Sequence, residues 1–79
     1  MLTLKEKREE LVKVSGVAPK GSHVRVAKEA KISIAYLYQI RTGTNVTLET
    51  DENKTFIQDL INKYRKIIIE EKRKYKEYE

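Results

Sequence analysis

The sequence predicts an all-α fold, a compact bundle of four to five helices, and three observations predict it. The 79 residues include one Pro and three Gly, so few positions interrupt a helix. Apolar residues recur at spacings of three and four between recognisable helix-start and helix-stop signals. There is no Cys to form a disulfide or a zinc staple, so the 39% of residues that are hydrophobic must hold the chain by packing. A chain this short supports one core and therefore one domain.

Thr3 and Glu6 have the spacing of a capping box, which starts a first helix from about Leu4 to Val14. Leu4, Leu11, Val12 and Val14 give it one buried edge, with the charged run from Lys5 to Glu10 facing water. The segment from Ser15 to Gly21 holds the only proline and two of the three glycines, the composition of a connecting loop. A second helix opens on Ser22 as its cap and runs to about Ala30, with Val26, Ala27 and Ala30 on one face. Ser33 caps a third from Ile34 to about Arg41, which turns Leu37 and Ile40 inward and stops before Gly43.

Residues 44–49 have turn character, with Val46 and Leu48 as inward anchors, and Thr50 or Asp51 opens a long final helix. Along it, Ile57, Ile61, Tyr64, Ile68, Glu71, Tyr75 and Tyr78 alternate spacings of four and three, a heptad pattern broken only by Glu71. Phe56, Leu60 and Ile67 widen its apolar face over the first half. Residues 1–70 are expected to form the domain, and 71–79 a charged C-terminal extension.

The net charge of +5 is unevenly distributed. Residues 1–45 hold nine bases against four acids, whereas residues 46–79 hold eight of each. The first half is thus the part that attracts a polyanion such as nucleic acid. Several classes are disfavoured. Ile67-Ile68-Ile69 is the longest aliphatic run, far below the roughly 20 residues of a membrane span. The N-terminal residues lack the apolar stretch and cleavage site of a signal peptide, so a cytoplasmic protein is expected. No Gly-rich phosphate loop, metal-ligand cluster or thiol is present, and His23 is the sole histidine. Neither enzymatic activity nor a metal or cofactor is expected.

The order of buried positions in residues 23–42 is more specific. Ala27 supplies a small residue where a second helix crosses closely, Ile32 and Ser33 an inward apolar residue and a cap, and Leu37 with Ile40 a three-residue anchor. Together these meet the packing demands of a helix-turn-helix. The stretch Val26-Ala27-x-x-Ala30-x-Ile32-Ser33-x-x-x-Leu37-x-x-Ile40-x-x-Gly43 resembles the lambda-repressor-like, or Xre, family of phage and bacterial regulators. The resemblance covers about twenty residues closely. It departs from the family pattern at Lys31, where the turn usually carries Gly, and at Val24, where a polar residue is more usual.

That resemblance implies a small transcriptional repressor whose third helix lies in the major groove of double-stranded DNA. It makes Ser33, Ile34, Ala35, Tyr38, Gln39 and Thr42 candidates for base contacts. Gln39 is the foremost, since an amide pairs with the N6/N7 edge of adenine. Ser22, His23, Arg25, Lys28, Lys31 and Arg41 become candidates for phosphate contacts. Regulators of this type commonly read paired half-sites, so a homodimer through Ile61, Tyr64 and Ile68 is expected, unless those residues complete the monomer's own core. A protein-interaction module that uses the long last helix is the alternative function, because a fold does not fix a function.

Overall fold

Thr3 begins the first helix as the sequence predicts: its Oγ1 accepts from the N–H of Glu6 at 3.2 Å, and the Glu6 carboxylate accepts from the N–H of Thr3 at 3.4 Å. The computed structural model describes the backbone of residues 3–77 and the side chains of residues 3–73. Its helices are α1 (Leu4–Gly16), α2 (Ser22–Ala30), α3 (Ile34–Thr42) and α4 (Asp51–Glu77), with no strand among the described residues. The chain is therefore all-α, with a long C-terminal helix. Tyr78, and the side chain of Tyr75, lie outside the described residues. Among the described residues no helix is long and apolar enough to cross a membrane.

The other helix starts follow the same chemistry with one exception. Ser33 caps α3 by accepting from the N–H of Tyr36 at 3.0 Å, and Thr50 Oγ1 accepts from the N–H of Asn53 at 3.1 Å at the head of α4. At α2 the expected cap is displaced. Gly21, with φ of 89°, is the N-cap, and Ser22 is already helical, its hydroxyl donating back to the Pro19 carbonyl at 2.5 Å. The left-handed turn before α2 requires glycine, which leaves the serine one position too late to cap. Helix α1 also runs two residues past the expected Val14.

One core gathers Leu4, Leu11, Val26, Ala27, Leu37, Ile40, Ile57, Leu60, Ile61, Tyr64 and Ile67. Helix α4 packs along α1 and α2, and α3 rests chiefly on α1 and α2 rather than on α4. Three expectations are corrected here. Val12 is 41% exposed and Leu48 72% exposed, so neither is an anchor, whereas Val46 does pack on the core. On α4 the buried stripe ends at Ile67, with Ile68 only half-buried. At 3.6 residues per turn Ile68 lies only about 20° around the helix from Ile57, so the stripe stays in phase and its burial thins towards the C-terminal end. The expected dimer face loses most of its area to that core. Ile61 and Tyr64 have no exposed surface and complete the monomer's core.

Lys31 closes α2 in the left-handed conformation, φ 59° and ψ 40°, with its N–H directed to the carbonyls of Ala27 and Lys28. The turn thus keeps a glycine-type geometry with a residue that bears a Cβ, at a cost of about 1–2 kcal/mol. Lys31→Gly is expected to stabilise the fold by about 1 kcal/mol, after the extra chain entropy of glycine is subtracted. Urea denaturation followed by circular dichroism measures it, and a lower midpoint for the variant would contradict the account.

Candidate nucleic-acid interface

Helices α1 and α2 hold α3 from behind, and its opposite side stays exposed among the described residues. Ile34, Ala35, Tyr38, Gln39 and Thr42 share that side by the 3.6-residue period, and all five are exposed, as is Ser33 just before them. Ile34 and Tyr38 keep 39% and 45% of their surface, less than Val17, Val24, Leu48 or Ile69, and what distinguishes them is that they share one helix face. Two of the polar members are engaged locally. The Gln39 Oε1 accepts from Asn45 Nδ2, and the Thr42 hydroxyl donates to the Gln39 carbonyl at 3.2 Å. Bidentate pairing with adenine requires Gln39 to share or release that contact to Asn45.

The six phosphate candidates separate into four groups. Lys28 and Lys31 are exposed. Ser22 and His23 turn inward and are corrected: Ser22 is 3% exposed with its hydroxyl committed to Pro19, and His23 Nδ1 lies 2.7 Å from the Tyr64 hydroxyl. Arg25 is exposed but already compensated, 3.0 Å from Glu70 and 3.5 Å from Glu29, and these carboxylates raise its pKa further. Arg41 is half-buried. Its guanidinium lies 5.6 Å from the centre of the Tyr38 ring, and its Nε is buried with no hydrogen-bond partner among the described residues.

His23 joins α2 to both neighbours, its ring centre 5.6 Å from those of Tyr38 on α3 and Tyr64 on α4. Burial, together with the Coulomb field of Arg41, lowers the His23 pKa. Burial raises the Tyr64 hydroxyl to about 12, so it stays protonated and can donate to a neutral imidazole. The sign of the pH effect follows. An unfolded chain takes up a proton near 6.5, before the folded one does, so the contribution of His23 is complete above that pH and is lost as pH falls below it. The melting temperature of the wild type is expected to fall more steeply below pH 6.5 than that of His23→Gln. Parallel melting curves for the two would show that His23 is not responsible.

One residue of the site escaped the sequence reading. Arg8 reaches from α1 to the end of α3, where Nε donates to the Ile40 carbonyl at 3.0 Å and Nη2 to the Val46 carbonyl at 2.8 Å. The signal was its spacing. Arg8 stands four residues after Leu4 and three before Leu11, on the stripe those leucines bury. Glu49 acts similarly at the other end of α1. Its carboxylate accepts from the Leu4 N–H at 2.9 Å, which, with the Lys54 ammonium 3.4 Å away, lowers its pKa. No family model matches the chain, and no curated protein or solved structure does.

Proposed function

We propose that this protein binds double-stranded DNA in a sequence-selective way, as a small cytoplasmic regulator of repressor type, with α3 in the major groove. The carrying observation is the uncovered side of α3, where Ser33, Ile34, Ala35, Tyr38, Gln39 and Thr42 are all exposed while Leu37 and Ile40 anchor the helix from behind. A helix held on one side and bare on the other fits a groove about 12 Å wide. The resemblance of Ile32–Gly43 to lambda-repressor-like proteins and the basic first half of the chain support the same reading. Ile34 and Ala35 suit thymine methyl groups, Gln39 suits adenine, and Lys28 and Lys31 suit phosphate. Recognition of paired half-sites needs a second copy, and among the described side chains of α4 the apolar surface left for one is chiefly Ile68 and Ile69, beside the half-buried Phe56.

Binding-site selection from random duplexes tests this directly. The wild type is expected to enrich a defined motif, and Gln39→Ala to lose roughly 1–3 kcal/mol on that motif while relaxing preference at one position. Failure to retain any duplex at low salt would overturn the proposal. Retention without enrichment would leave only non-selective binding.

A further inference from the structure

We infer that the groove between α1 and the C-terminal end of α3 holds the phosphate backbone of the bound duplex, an inference that rests on the DNA-binding reading above. The groove encloses about 500 Å³ and brings Lys5, Arg8, Lys13 and Arg41 together against one carboxylate, Glu9. Among the described residues none of these four cations lies within 4.0 Å of a carboxylate, in contrast to Arg25, Lys54 and Arg65. Arg8 donates to two carbonyls, which are neutral acceptors, so its charge remains uncancelled. Arg41 contributes a buried Nε that has no hydrogen-bond partner among the described residues. Four cations crowded around one carboxylate repel one another, and an anion in the groove relieves that repulsion.

Position selects the anion. Thr42 lines the groove and also lies on the outward side of α3, so the groove continues the uncovered face rather than opening elsewhere. Lys5 and Lys13 stand eight residues apart on α1, which is about 12 Å along a helix axis. That length matches about three phosphates along one DNA strand at roughly 3.4 Å of rise each. The α2 start, expected from sequence to meet phosphate, has turned Ser22 and His23 inward, and the free positive charge lies here instead.

Salt titration of binding to a random-sequence duplex is the test, with the wild type, the double variant Lys5→Ala/Lys13→Ala, and Lys66→Ala on α4 as a control outside the groove. All three lysines are exposed, so the variants keep the fold, as melting by circular dichroism verifies. The plot of log affinity against log salt is expected to become shallower by about 0.9 per lost contact, close to 1.8 for the double variant, and to stay unchanged for Lys66→Ala. The motif enriched by selection should be the same for all three. A wild type that binds DNA with the same slope as the double variant overturns this assignment alone. A wild type with no affinity for DNA overturns the functional proposal and this inference together. If the double variant loses retention of poly-L-glutamate while its DNA slope is unchanged, the groove is a site for acidic peptide and the inference fails.

Discussion

Tyr64→Ala is expected to remove about 3–5 kcal/mol of stability, the range for truncation of a fully buried aromatic residue. Tyr64 has no exposed surface, sits between Ile61 and Ile67 on the buried side of α4, and is the largest of the fully buried side chains. A domain of this length holds about 4–12 kcal/mol in total, so the variant loses a large share of it and melts at a much lower temperature. Tyr64→Phe separates the two contributions. It keeps the ring and its packing but leaves His23 Nδ1, 2.7 Å from the hydroxyl, without its partner, at a cost of about 1 kcal/mol. Urea denaturation of the three proteins decides the matter. Equal losses for Ala and Phe would mean that the hydroxyl, rather than the ring volume, carries the contribution.

The helix count, the caps at Thr3 and Ser33, and the stop at Gly43 were legible in the sequence because each depends on residues within four positions of one another. So were Val26, Ala27, Leu37 and Ile40, whose burial follows from helical period alone. Contacts between distant positions were not legible. Nothing local reveals that Ser22 is satisfied by Pro19, that Arg25 meets Glu70 from the far end of the chain, or that Tyr64 spends its hydroxyl on His23. Ser22 and His23, expected to face a ligand, are instead satisfied within the protein, where an unpaired buried donor or acceptor costs more than a hydrogen bond returns, while Arg25 is compensated at the surface. The candidate base contacts stay exposed because the partners they do have, such as Asn45 for Gln39 and the Gln39 carbonyl for Thr42, lie on the same surface rather than in the core. Lys31 shows the converse. Lysine has no preference for the left-handed region, and only its place where the turn of lambda-repressor-like proteins usually carries Gly pointed there, yet the short turn between α2 and α3 imposed that conformation.

Arg8→Ala is expected to cost about 2–4 kcal/mol, a loss its place in a charged stretch of α1 does not suggest. Its guanidinium makes two charge-assisted hydrogen bonds, to the Ile40 and Val46 carbonyls, each worth about 1.5–3 kcal/mol before partial solvent exposure is discounted. The positive charge also faces the carbonyl end of α3, where the helix dipole favours it. Val46 adds to the demand. It is β-branched and held at φ of 59°, a conformation that persists only where surrounding contacts enforce it, and Arg8 grips its carbonyl. Arg8→Lys is expected to recover less than half of the loss, since one ammonium cannot reproduce a planar fork that reaches two carbonyls. Because the loop after α3 carries Asn45, the partner of Gln39, DNA affinity should fall in Arg8→Ala even at temperatures where it is fully folded. Chemical denaturation gives the first quantity, and duplex binding well below the melting temperature gives the second. Full rescue by lysine would reduce Arg8 to a point charge, whereas unchanged affinity in the folded alanine variant would detach the clamp from the α3 face.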